Sequence, residues 1–213
     1  MQVPVRVTCP QCGKTLVAEH GTVDGYLKVK CLDCKIDETA SYVQGFHIGH
    51  ALLEYASNAL NSKNTNFTIL LSGMAIDCYL SHLYFKWRDI EELQKVDIPY
   101  DPIRVEKTIT EELLNIRDFL DKAKAVAKIL HPAGVVEFIR SHHDLESEIS
   151  TGFPSININA FAQCIRDQVM WKRNNIIHIG KLKYDEAQAI KTLNYSRLFV
   201  KVFETMDEEK SGA

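Results

Sequence analysis

The chain of 213 residues lacks any uncharged apolar run long enough to cross a bilayer. Its start, Met1-Gln2-Val3-Pro4-Val5-Arg6, has neither the apolar core of a signal peptide nor the composition of a transit peptide, so the expected location is the cytoplasm and no membrane partner is expected. It also lacks a basic excess. A formal net charge of −3 excludes a protein that coats nucleic acid by bulk electrostatics, and leaves room for a local site with a few phosphate contacts. No Gly-rich dinucleotide fingerprint and no G-x-S-x-G elbow is present, and His47-Ile48-Gly49-His50 has no nucleotide-fold strand before it. Internal repeats and low-complexity segments are missing too. What remains is ordinary for a globular chain: 46% hydrophobic and 25% charged residues.

Cysteine is sparse but patterned. Cys9 and Cys12 form one C-x-x-C pair and Cys31 and Cys34 a second, with 18 residues between the pairs. A two-residue gap lets a tight turn aim both sulfurs at one ion, and two such turns complete a tetrahedron around zinc. Thr15–Glu19 and Tyr26–Lys30 read as short strands, and His20–Gly25 supplies turn chemistry. The first 40 residues resemble a four-cysteine zinc ribbon. One structural Zn2+ per chain is expected, because four thiolates leave no open position for chemistry and so small a module needs the ion to fold. Residues 1–40 hold five Lys/Arg and five Asp/Glu, so the ribbon carries no basic bias.

From residue 41 to 213 helical periodicity takes over, and the expected fold is mostly α, a bundle of about five to six helices behind the small β ribbon. Phe46 to about Ser62 and Thr65 to about Trp87 are the first two helices; the second is apolar nearly all round and belongs in the middle of the bundle. Pro99 and Pro102 then break the chain. Thr108 and Glu111 suggest a capping box opening a third helix that runs on through Phe119 to Ile129. Val135 to about Leu145 is a fourth. A fifth runs from about Ile158 to His178, with Phe161, Ile165 and Val169 inward and Gly180 as its cap. Asp185 and Gln188 open a sixth. His142-His143 reads as solvated surface, because adjacent helical residues diverge.

The fifth helix carries the candidate chemistry. Arg173-Asn174-Asn175-Ile176-Ile177-His178 joins a fixed cation, an amide and an imidazole, and Lys172, Arg173, Lys181 and Lys183 form a basic island with no carboxylate between Asp167 and Asp185. Arginine grips phosphate oxygens in a fork and histidine moves protons near neutral pH, so a phosphodiester is the expected ligand. On a helix Asn174 and His178 share one face, while Arg173 lies about 140° from His178 and reaches it by a bent side chain or across a dimer. Asp77, inside the most apolar helix, needs a partner, and Arg173 or His178 would serve.

Over residues 41–213 the chain resembles the HEPN superfamily, whose all-α domains carry Arg, four to six residues, then His, often with Asn after the Arg; R-N-N-I-I-H fits at each defining position. The resemblance implies a homodimeric, metal-independent endoribonuclease acting on RNA, as a toxin held by a cognate inhibitor protein or as an antiviral defence effector. It implies His178 as general base or acid for attack of a ribose 2′-OH, Arg173 stabilising phosphoryl charge, Asn174 orienting, and Asp77 as the acidic residue of an early central helix. The products would be a 2′,3′-cyclic phosphate and a 5′-OH. The alternative is a non-catalytic RNA-, nucleotide- or protein-binding module with the ribbon as adaptor.

Overall fold

In the computed structural model of the protein, the described residues are 48–95, 101–179 and 184–212, with the backbones of four N-terminal strands. The four cysteines of the expected ribbon, and Gly180, Lys181 and Lys183, lie outside the described residues. Two compact units divide between His47 and Ile48. In that first unit β1 (Val5–Thr8) pairs antiparallel with β2 (Thr15–Ala18), and β3 (Tyr26–Lys30) with β4 (Asp37–Ser41).

The second unit is helical and is organised around α2 (Thr65–Leu93). Ile69, Ala75, Ile76 and Leu80 are fully buried there, since apolar side chains occur on most of its circumference. Its start is fixed by Asn64, whose side chain accepts from the Phe67 amide at 3.3 Å, and by Lys63, which takes a positive φ of 57° in the turn after α1 (Ile48–Asn61). Against α2 pack α1, α3 (Pro102–Asn115), α4 (Phe119–Leu130) and α8 (Trp171–Ile179). The long α9 (Glu186–Gly212) buries Leu193, Phe199, Val202 and Phe203. Phe199 stacks on Phe203 at 4.5 Å and Phe161 at 6.0 Å and meets Phe119 at 5.6 Å, which joins three helices in one aromatic cluster. Thr192 and Ser196 are buried on α9 at little cost, because their hydroxyls donate to Gln188 and Thr192 carbonyls at 2.8 and 3.0 Å.

Several boundaries differ from expectation. The third helix is two. Asp101 caps α3 by accepting from the Ile103 and Arg104 amides, with Pro102 in the first turn, and Asp118 caps α4 through the Leu120 amide at 2.8 Å. Thr108 is no cap: it sits inside α3 and donates to the Arg104 carbonyl. The fourth helix is also two, α5 (Gly134–Ser141) and α6 (His143–Gly152), because His142 takes a non-helical φ, ψ of −111°, 87°. His142 is not loose surface. Its ring stacks on Phe138 at 4.1 Å, Nδ1 lies 2.7 Å from the Phe138 carbonyl, and Nε2 pairs with Glu209. Asp185 and Gln188 do open α9 as a reciprocal box, each side chain accepting from the other's amide. Met74 of α2 and Ile190 of α9 are about 40% exposed.

Candidate functional site

The expected fifth helix is present, but it is not uniform. A 3₁₀ turn (Ile158–Ala160) leads into α7 (Phe161–Ile165), then a π segment (Arg166–Met170), then α8. Phe161, Ile165 and Val169 are fully buried as expected. Such a segment holds an extra residue per turn, so it re-aims the side chains that follow; π segments of this kind recur at functional sites. Here the residues that follow are Trp171, Arg173 and Asn174.

Arg173 is placed by a glycine. A side-chain carbon at Gly73 of α2 would stand 2.9 Å from Cβ and Cγ of Arg173, so the arginine stem lies directly on the α2 backbone. Its Nε is buried with no hydrogen-bond partner, Nη1 donates to Asn174 Oδ1 at 3.2 Å, and the guanidinium forms no ion pair among the described residues. One turn along α2 from Gly73 stands Asp77. Its partner is Lys122 of α4, whose Nζ is 2.7 Å from Oδ1, and neither Arg173 nor His178. The expectation fails because α4, invisible to the local pattern, brings the shorter route to the carboxylate.

Asp77, Arg173 and Asn174 nevertheless share one cavity of about 310 Å³, at the small end of the roughly 300–1,000 Å³ usual for ligand sites. Three further cations line it: Arg117, Lys122 and Arg166. Lys122 is paired with Asp77, and Arg166 with Asp167 at 3.0 Å. The Asp167 carboxyl is held below its usual range by the Gln163 amide and then by Arg166. Asp118 is occupied as the α4 cap. Arg117 is exposed and has no ion-pair partner among the described residues. Two guanidiniums, Arg117 and Arg173, are therefore free to meet an anion. Burial raises the Cys78 thiol, and Asp77 raises it further against the opposing pull of Lys122 and Arg173, which places these charges within electrostatic reach of one another.

Of the basic island, the described residues include Lys172 and Arg173, and these two part company. Lys172 is buried, its Nζ 3.3 Å from Thr192 Oγ1, with its pKa lowered first by desolvation and then by Lys191, so it faces α9 and adds nothing to the cleft. His178 is exposed in the last turn of α8, its ring makes no hydrogen bond among the described residues, and it is absent from the cavity lining. Asn174 bonds to Arg173 rather than to His178. Arg117 and Lys122 escaped the sequence reading because they come from separate elements, and Arg166 because it lies on the same helix but outside the motif; the glycine in an otherwise apolar helix was the one local hint of a close crossing.

Among the described residues no group of His, Cys, Asp and Glu side chains is arranged to hold a metal ion, and no helix is long and apolar enough to cross a membrane. No family model, curated protein or solved structure matches this chain.

Proposed function

We propose that the chain is a HEPN-type, metal-independent endoribonuclease that cleaves RNA by attack of a 2′-OH on the adjacent phosphate. The observation that carries the reading is the cleft itself: Arg173, seated on Gly73, and Arg117 are two unpaired guanidiniums beside Asn174 and Asp77. Forked donors of fixed charge suit the spread negative charge of a phosphoryl transition state. His178, seven residues and about 10 Å along α8 from the first residue of that helix, supplies proton transfer. The 2′-OH proton passes to the imidazole as the 2′ oxygen bonds to phosphorus, the P–O5′ bond breaks, and the departing 5′ oxygen takes up a proton from water or from the imidazolium, giving a 2′,3′-cyclic phosphate and a 5′-OH end.

A second copy completes the scheme. His178 stands outside the cavity lining, and exposed Ile177 and Ile179 flank it, 50% and 61% accessible. Apolar exposure of that kind suits a symmetric contact in which two copies of α8 meet and pool both arginines and both histidines in one cleft. The N-terminal C-x-x-C pairs are proposed to hold one structural zinc through Cys9, Cys12, Cys31 and Cys34, an ion with no open coordination position for the reaction.

The second reading is a non-catalytic module that binds RNA or a nucleotide in the same cleft, and the position of His178 outside it is the observation in its favour. Incubating RNA in EDTA with wild-type protein and with His178→Ala separates the two. Cleavage by wild type alone, with cyclic phosphate ends, is expected. Equal cleavage by both proteins, or none by either, rejects the nuclease.

A further inference from the structure

Trp171 is the residue that neither the fold nor the proposed chemistry uses. It is 60% exposed at the first position of α8, whereas the chain's other tryptophan, Trp87, is 5% exposed and donates its Nε1–H to Asp207 at 2.6 Å. No aromatic ring, cation or hydrogen-bond partner covers Trp171 among the described residues. It borders the cation-rich cavity with Arg117 and Arg173. It also heads a helix stripe. Trp171, Asn174 and His178 are spaced i, i+3, i+7, so they lie within about 60° of one another around the α8 axis. The π segment that ends at Met170 sets the direction in which this stripe faces.

An indole left in water beside two unpaired guanidiniums asks for a ligand with a flat π surface tethered to an anion. A nucleotide has that chemistry: its base stacks on the ring and its phosphate reaches the arginines. A sugar phosphate lacks the π face, and an acidic peptide lacks a fixed short distance between face and charge. The stripe adds direction, because a base on Trp171 runs the strand along α8 past Asn174 toward His178.

We propose that Trp171 is the base-stacking platform of the cleft, holding one unpaired RNA base so that the adjoining backbone lies along Arg173, Asn174 and His178. The inference rests on the nuclease reading for the identity of the ligand, but it concerns binding and stands or falls separately from cleavage. Stacking on one ring is tolerant of base identity, so the platform selects unpaired over paired RNA rather than one sequence.

The test uses the full chain and a short single-stranded 2′-O-methyl RNA, which has no 2′-OH to attack and is bound without being cut. Trp171→Ala is expected to weaken binding by roughly five- to a hundredfold, and Trp171→Phe to retain most of it. Walking one abasic position along the oligonucleotide should reveal a site where wild type loses as much as Trp171→Ala does, and where the Ala variant loses nothing more. AMP as a second probe should quench exposed-tryptophan fluorescence in wild type and not in Trp171→Ala, and should bind more weakly than the oligonucleotide; AMP binding tighter than RNA overturns the RNA assignment. Binding by Trp171→Ala equal to wild type overturns the proposal, as does the absence of any binding, or loss of self-association in place of RNA affinity. Cleavage of ordinary RNA is measured beside it. Stacking without cleavage removes the nuclease and keeps the platform; cleavage with unaltered Trp171→Ala binding does the reverse.

Discussion

Replacing Gly73 with alanine probes the joint on which the cleft depends. The added methyl would lie 2.9 Å from Cβ and Cγ of Arg173 and 3.1 Å from Cδ. Carbon atoms rest at roughly 3.5–4.0 Å, so α2 and α8 must part by about half an ångström, or the arginine stem must leave. Alanine in a helix interior is favoured over glycine by about 1 kcal/mol. Overpacking of this kind costs about 1–3 kcal/mol, and the near-backbone atoms of Arg173 cannot swing away as a side-chain tip would. The net expectation is destabilisation of about 0–2 kcal/mol, seen as a fall in Tm of up to about 8 °C. RNA cleavage should fall much further, since a displacement near 1 Å at a positioning group costs on the order of a hundredfold. The control is a double-mutant cycle with Arg173→Ala, which removes the Cγ and Cδ contacts and leaves only Cβ. Gly73→Ala should cost less in that background, by about 1 kcal/mol. Thermal melts and initial cleavage rates read both quantities. A gain in Tm equal to the alanine preference, with unchanged cleavage and no coupling to Arg173, would refute the packing argument.

Phe199→Ala should cost about 3–5 kcal/mol, because it empties the centre of the Phe119–Phe161–Phe203 cluster; urea melts would show it, and a cost below 1 kcal/mol would deny the cluster its role. Lys122→Met leaves the half-buried Asp77 carboxylate alone and should destabilise by about 1–3 kcal/mol, with recovery in the Lys122→Met/Asp77→Asn double variant. Stability should fall on both sides of neutrality. The Phe138 carbonyl, then Glu209, raises His142 above 6.5, so its contribution is complete below that value and is lost as pH rises through the raised one. Arg88, then Tyr84, lowers Glu112 below 4.5, so its contribution is present above that value and is lost as pH falls through the lowered one. Urea midpoints against pH, repeated for His142→Gln, should lose only the alkaline limb. Metal analysis should find one zinc per chain, abolished by Cys9→Ser with Cys12→Ser; retention of zinc by that variant would reject the ribbon ligands.

The helices legible in the sequence are those whose order is local. α1 and α2 follow from periodicity and the Asn-rich turn between them, and α9 from the Asp185–Gln188 box. The breaks at Ile116–Asp118 and His142 were not legible. Thr108 and Glu111 mimic a capping box within α3, while Asp118 does the capping, and nothing in His142-His143 breaks a helix by itself. That break coincides with a local bond to the Phe138 carbonyl, four residues earlier, and a tertiary one to Glu209. The π segment is silent for a different reason: one extra residue within a turn leaves the buried positions of α7 intact. Of the site, Arg173 and Asn174 were readable as a motif and Asp77 as a carboxylate on an apolar helix in need of a partner. Lys122 could not be named as that partner, nor Arg117 as a cleft cation, because their proximity depends on how α4 packs on α2.

The central claim is that a 2′-OH is the nucleophile and that this chain's own arginine and histidine serve the reaction. A defined RNA carrying a single 2′-deoxy nucleotide on the 5′ side of the mapped scission point tests it most directly, in EDTA, with the full-length protein. Cleavage should cease at that phosphate alone, and the unmodified strand should yield a 2′,3′-cyclic phosphate that Arg173→Ala and His178→Ala each abolish. Undiminished cleavage at the deoxy position, or 5′-phosphate ends from the unmodified strand, would contradict it.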